Sequence, residues 1–324
     1  MTDQPTPVSS RNRGYITALA SAAVLSTTAI LIRYLTETYQ LPELVLAFWR
    51  DFFVVLTLFV ILVIFRPQLL HIDRKWLPYL VGYGFILSLF NALWTVSVSS
   101  NGAAVATVLV YSSAAFTAVL GHFLLKESLG WGKVLAVALS LGGCLLVSGA
   151  LDPAVWNTNV WGILTGIFSG LGYAAYTLLG RSAARRGLNT WTTILYTFGF
   201  AALFLLGCNL ILGGVIPANA TRPQDMFWLG NHLLGWGALF LLAAGPSLLG
   251  FGLYNISLIH LPSGVVNLIA STEPVFTAVI AYFLLGETMS GIQILGGLII
   301  LLSVIILQRQ EHRLTQKNDQ HAME

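Results

Sequence analysis

What most restricts the folds open to this chain is a succession of apolar runs, each about 20 residues long, with charged residues gathered in the gaps between them. An α-helix rises 1.5 Å per residue, so about 20 apolar residues cross the ~30 Å hydrocarbon core of a bilayer. A membrane β-barrel would instead show alternating segments of about 10 residues, and none is present. Composition points the same way: 56% of the 324 residues are hydrophobic and 9% charged, whereas soluble domains carry about 25% charged residues. The chain reads as an all-α polytopic membrane protein.

Ten transmembrane helices are expected, at residues 14–35, 42–65, 76–98, 103–125, 131–150, 160–181, 190–213, 233–259, 263–285 and 289–308. Residues 1–13 form a polar N-terminal tail. The run that follows starts at Gly14 and exceeds the 7–15 residues of a signal-peptide core, so it is read as a retained first span. Ser99-Ser100-Asn101-Gly102 is read as a tight turn, and Leu261-Pro262 leaves room for little more. Residues 309–324, RQEHRLTQKNDQHAME, are read as a solvated, disordered tail.

Counting Lys and Arg orients the spans, because cytoplasmic loops carry the excess. With both termini cytoplasmic, the inner set is Arg11, Arg13, Arg66, Arg74, Lys75, Lys126, Lys133, Arg181, Arg185, Arg186, Arg309, Arg313 and Lys317. Only Arg33 and Arg222 fall outside, and Arg50 lies within the second span. The net charge of +3 is therefore a topology signal, and nucleic acid is not an expected partner.

Two stretches 160 residues apart match: VLVYSSAAFTAVLGHFLLKE at 108–127 and LIASTEPVFTAVIAYFLLGE at 268–287. Five spans separate equivalent positions, an odd number, so the halves 14–150 and 151–308 are expected to be inverted five-helix repeats. Many secondary transporters are built this way, with the substrate site near the midplane between repeats. The FTAV…FLL.E endings, the Glu-Pro pair at 273–274, WRDFF at 49–53 and GIFSGLGYAAYTLLGR at 166–181 together resemble the EamA family of the drug/metabolite transporter superfamily. That resemblance implies a multi-pass protein of the cell (inner) membrane that exports small metabolites such as amino acids.

Ionisable side chains inside a membrane are costly and usually mark function; here they are Arg50, Asp51 and Glu273. Glu273 lies about 15 Å into its span. It can bind a substrate ammonium, exchange protons, or serve as a fixed partner of another buried group such as Arg50. Arg50 suits a substrate carboxylate or a tie between helices. Asp51, rotated about 100° from Arg50 on the helix, is expected not to share its face. Asn91, Trp94, Tyr111, Tyr173, Tyr176, Tyr254, Asn255 and Asn267 complete the candidate substrate-binding set, as an aromatic pocket with a few amides. Pro246 and Pro274 are the expected helix kinks, the latter because its ring cannot donate to the carbonyl of Ala270.

No GxxxxGKS phosphate loop, HExxH or GxSxG is present, and no cofactor or metal is expected. Cys144 and Cys208 lie in apolar runs without ligand spacing. A membrane-embedded enzyme acting on lipid or isoprenoid substrates is the alternative; it would need paired acids or histidines at mid-depth. Monomer and homodimer are both compatible with the sequence.

Overall fold

The computed structural model describes residues 8–147, 160–212, 218–285 and 290–321, which contain helices and turns and no strand. Seven helical stretches are long and apolar enough to cross a membrane: Ser10–Tyr39, Glu43–Phe65, Arg74–Ser100, Val105–Leu125, Val160–Arg185, Thr190–Ile211 and Leu233–His260. Two shorter apolar helices span Trp131–Val147 and Gly291–Leu307.

The first expected span is two helices, α1 (Val8–Leu25) and α2 (Thr28–Tyr39). At the break, Ser26 Oγ donates to the Ala23 carbonyl at 2.6 Å and Thr27 Oγ1 to that of Val24 at 2.9 Å. Hydroxyls that bond back to the preceding turn compete with the helix ladder, and two in succession interrupt it. α3 (Glu43–Phe65) follows, entered through Pro42, whose ring suits a helix start.

α4 (Leu77–Tyr111) and α5 (Ser113–Leu125) come next. Helical hydrogen bonding in α4 runs through the expected turn at 99–102, yet the helix is not straight. Gly166 faces both Ser97 and Leu109: a Cβ there would lie 2.8 Å from Ser97 Oγ and 2.5 Å from Leu109 Cδ1. Twelve residues of straight helix would separate those two by about 18 Å, so the chain folds back between them.

α6 (Trp131–Val147) packs on α13 (Gly291–His321), while α7 (Val160–Arg185) lies along α4 and α8 (Thr190–Ile211) along α3 and α4. The close α4–α7 approach depends on glycine, since at Gly170 a Cβ would meet Ser112 Oγ at 2.4 Å. α13 continues to His321 and α1 starts at Val8, so helix extends into both expected tails. Once a helix is nucleated each further residue adds a bond, and Gln, Glu, Arg, Leu and Lys are good helix formers.

α9 (Leu233–Leu242) leads into a π-helical stretch, Ala243–Gly250, which holds Pro246, and then α10 (Phe251–His260). π-Turns and proline both kink helices. The expected ninth span is divided into α11 (Ser263–Ala270) and α12 (Glu273–Leu285).

The break between α11 and α12 is repeated 160 residues earlier. Thr272 N donates to the Ile269 carbonyl at 3.0 Å, and Val275 N and Phe276 N donate to the Thr272 carbonyl at 2.9 and 3.3 Å. Ser112 N donates to Leu109 O at 3.2 Å, and Ala115 N and Phe116 N to Ser112 O at 3.1 and 3.2 Å. The side chains match too: Ser112 Oγ caps Leu109 O at 2.6 Å and Thr272 Oγ1 caps Ile269 O at 2.8 Å. The first-half break forms with Ser113-Ala114 in place of Glu273-Pro274. Proline 274 is therefore not what opens the helix. It occupies the second position of α12, where a missing N–H leaves no intrahelical bond unmade.

Contacts gather the connections at two ends of the bundle. At one end Arg181 Nη1 donates to Leu258 O at 2.6 Å, Arg185 Nη1 to Leu125 O at 2.8 Å, and Arg186 lies 4.8 Å over the Tyr79 ring. There, buried Glu127 accepts from the backbone of Ser263 at 2.8 Å and Gly264 at 3.3 Å, with Lys133 3.7 Å away. At the other end Trp228 donates to Tyr39 O at 3.0 Å, Asn209 to Leu44 O at 3.0 Å, and Ser99 bonds Glu43. A carboxylate on the free N–H groups that open a helix, as Glu127 is on α11, satisfies donors that have no partner within it.

Candidate functional site

A small, partly open cavity, with about 40 Å³ of room for the centres of water-sized molecules, lies where the helices are interrupted. Its wall takes Leu25 and Thr28 from the two sides of the α1–α2 break, Val110 and Tyr111 from the end of α4, Phe251 from the π-helix junction and Glu273 from the start of α12. Four discontinuities thus converge on one space. Broken backbone within apolar helices is tolerated where it faces protein or a water-accessible cavity. The carbonyl of Ser26, freed at the first break, accepts from Thr277 Oγ1 of α12 at 3.1 Å, so two breaks are tied together directly.

Uninterrupted helical stretches supply the rest: Arg50 from α3, Phe90, Asn91 and Trp94 from the part of α4 before its fold-back, and Tyr173 from α7. Phe90 and Tyr173 stack with centroids 5.0 Å apart at 9°, giving the cavity a flat aromatic wall. Of the ten candidate residues from sequence, Arg50, Asn91, Trp94, Tyr111, Tyr173 and Glu273 are brought together here.

The other four stand in an adjoining polar network. Asn255 donates to Tyr176 OH at 2.7 Å and accepts from Tyr83 OH at 3.3 Å. Tyr254 OH and Thr177 Oγ1 are 2.7 Å apart, and Asn267 Nδ2 reaches both, at 3.3 Å to Thr177 and 3.4 Å to Tyr254. Ser113, the equivalent of Glu273, donates to Asn267 Oδ1 at 3.0 Å. All these groups are buried, and an unpaired buried polar group would cost about 1–3 kcal/mol. The network fastens α4, α5, α7, α10 and α11 to one another beside the cavity.

Arg50 and Asp51 are both buried, and Arg50 Nε lies 3.3 Å from Asp51 Oδ1. The two point about 100° apart on the helix, and the long arginine side chain folds back across that angle to reach the carboxylate. Asn91 Nδ2 donates to both Asp51 oxygens, at 2.9 and 2.8 Å. Held in this way, Arg50 has Nη2 left without a partner among the described residues. Glu273 accepts from Tyr111 OH. Between Arg50 and Glu273 there is no ion pair among the described residues; the two belong to separate hydrogen-bonded pairs on one cavity.

Sequence reasoning missed Thr28, Leu25, Phe90, Val110 and Phe251. The cluster Ser26-Thr27-Thr28 inside an apolar run was the available signal for the first two, a weak one, since adjacent hydroxyls compete with the helix ladder without always breaking it. Among the described residues no group of three or more His, Cys, Asp or Glu could hold a metal ion.

A bundle with many apolar helices and a cavity at their discontinuities defines a multi-pass membrane protein of the transporter class. The chain belongs to the EamA-like transporter family, which it matches in two repeats, residues 12–149 and 160–309. It is 27% identical to an uncharacterized transporter of Synechocystis sp. over 71% of this chain and 66% of that one. It is 23% identical to a probable amino-acid metabolite efflux pump of Salmonella typhimurium over 92% of this chain and 95% of that one. Threonine/homoserine exporter RhtA of the same species is 26% identical over 73% of each. A solved crystal structure with 17% identity superposes with a TM-score of 0.69 over 91% of this chain and 97% of that one, a likeness of fold.

Proposed function

We propose that the chain is a secondary transporter of the cell membrane that exports small metabolites such as amino acids. Its ten spans, with both termini cytoplasmic, form two inverted five-helix repeats that alternate the access of the central cavity. The observation that carries this reading is the convergence of four helix breaks on one cavity that presents Arg50 and Glu273. Discontinuous helices at a repeat interface are where such transporters hold substrate and coupling ion. The alternation of the two sets of contacts at opposite ends of the bundle supports crossings by the helices whose ends they join. The basic residues Arg181, Arg185 and Arg186 at one end support a cytoplasmic assignment for it.

Charge accounting favours exchange at Glu273. Asp51 cancels Arg50, so one carboxylate is in excess at the cavity. A buried excess charge needs a compensating one, which a proton supplies; a substrate ammonium pairs with Glu273 locally, the zwitterion as a whole adding no net charge. In the exporting cycle the two compete for Glu273 as the cavity faces first one side and then the other.

Export is tested by accumulation of metabolites outside expressing cells and by uptake into inverted vesicles, screened over amino acids, nucleosides and quaternary amines. Glu273→Gln is expected to abolish the pH dependence of transport. A Gln variant with unchanged rate and pH profile would remove Glu273 as the exchange site, and a wild-type protein that moves none of these compounds would remove the exporter reading.

A further inference from the structure

We propose that one wall of the cavity is a built subsite for the carboxylate of the transported molecule, formed by Arg50 Nη2, Thr28 Oγ1 and the opening turn of α2. The proposal rests on the transport reading and deepens it, by naming the end of the substrate that each wall receives. Arg50 is 2% exposed and Thr28 7% exposed, and both line the cavity. Nη2 of the first and Oγ1 of the second are buried donors without a partner among the described residues. Buried polar groups in folded proteins are nearly always hydrogen-bonded, so two orphan donors on the wall of one cavity call for an acceptor within it.

Arg50 is shaped for this task by its neighbours. Asp51 engages Nε, and Asn91 in turn fixes Asp51 through both carboxylate oxygens. The guanidinium is thereby oriented with a further N–H unused, and a planar donor fork matches a carboxylate. Thr28 is the first residue of α2. Its predecessor Thr27 does not cap the helix: its own backbone is helical (φ −83°, ψ −11°), and its hydroxyl is turned back to donate to the Val24 carbonyl at 2.9 Å. The positive end of a 12-residue helix is thus left without a side-chain acceptor beside the two orphan donors, and anions are favoured at such an end. Glu273, the acidic group of the cavity, stands on α12 and is engaged by Tyr111. An amino acid then lies with its carboxylate on the α2–α3 side and its ammonium toward α12.

The test uses the purified full-length protein in chloride-free buffer, with thermal unfolding read by tryptophan fluorescence. The probes are matched pairs that differ only in the carboxylate: L-threonine against L-threonine amide, and L-phenylalanine against its amide. At least one carboxylate member is expected to stabilise the protein, with its amide weaker by about tenfold, the size of one charge-assisted hydrogen bond. Thr28→Val, which keeps shape and removes the hydroxyl, is expected to erase most of that difference, and Thr28→Ser to restore it. Arg50→Lys is expected to weaken the acid and leave the amide unchanged. Equal stabilisation by acid and amide would overturn the subsite, as would an unaltered difference in Thr28→Val or no response to any carboxylate. Equal stabilisation by sodium chloride alone would also overturn it, in favour of a halide site. If acids bind with this discrimination while vesicles transport nothing, the transport reading falls and the subsite stands. Transport with an unchanged KM in Thr28→Val sinks the subsite alone.

Discussion

Asn91→Leu is the sharpest probe of how the cavity wall is held. Asp51 has no solvent exposure, and Asn91 Nδ2 gives its carboxylate two hydrogen bonds, at 2.9 and 2.8 Å. Leucine has nearly the same shape and donates nothing, so the carboxylate would keep only Arg50 Nε, at 3.3 Å. A hydrogen bond to a charged group contributes about 1.5–3 kcal/mol, and removing one partner from a buried ionic cluster costs about 3–5 kcal/mol. With about 2 °C per kcal/mol in larger domains, thermal unfolding in detergent should fall by roughly 6–10 °C. The control is to remove the whole cluster, as Arg50→Leu/Asp51→Leu/Asn91→Leu. Replacing every buried polar group together is milder than orphaning one, so the triple variant should be more stable than Asn91→Leu. A drop of less than about 2 °C in the single variant, or a triple variant less stable than the single, would refute the reasoning and mean that water reaches Asp51.

Gly166→Ala should destabilise by about 1–3 kcal/mol through overpacking, because its Cβ would fall 2.5 Å from Leu109 Cδ1; Gly207→Ala, with open space around it, should be neutral or better in the same melt. Pro274→Ala should keep the fold and most of the export rate, since the equivalent break at Ser112 forms without proline; loss of folding would restore proline as the cause of the break. In the loop before α9, the Thr221 hydroxyl at 2.5 Å and the Arg222 N–H at 2.8 Å hold the Asp225 carboxyl below its usual range. A carboxyl lowered by folding stabilises above its unfolded value of about 3.9 and loses that contribution as pH falls through the lower folded value. Protease cleavage within 218–232 should therefore rise on acidification below about pH 4, and Asp225→Asn should be cleaved readily at neutral pH.

Hydropathy made the placement of most apolar segments legible, because bilayer thickness sets segment length directly: seven of the ten expected spans are helices long enough to cross a membrane and two more are shorter apolar helices. Breaks inside segments were harder to see. Thr272 and Ser112 open their helices by bonding back to Ile269 and Leu109, yet serine and threonine also occur in continuous apolar helices, so their presence alone does not mark a break. Of the candidate site, Arg50 and Glu273 stood out as charges in apolar runs. Which aromatic and amide groups meet them depends on helix rotation. Tyr173 and Tyr176 illustrate this: they are three residues apart on α7, and the first lines the cavity while the second bonds Asn255 in the neighbouring network. Thr28 escaped notice for a further reason. Its significance comes from a partner it lacks, and a sequence does not show which donors are left over.

The repeated helix break has a consequence for energy coupling. The same helix break occurs in both halves, since Ser112 and Thr272 make the same bonds, but the acid does not, because Ser113 stands where Glu273 does in the second half. The proposed cycle therefore has two hinges and one exchangeable carboxylate, which limits it to one proton for each molecule exported. One elementary charge crossing 100 mV is worth about 2.3 kcal/mol, so the membrane potential alone would hold a neutral zwitterion at a gradient of roughly 50-fold per 100 mV. At the same potential a steeper gradient needs a pH difference across the membrane or a second titratable group, and position 113 is the repeat equivalent of the first.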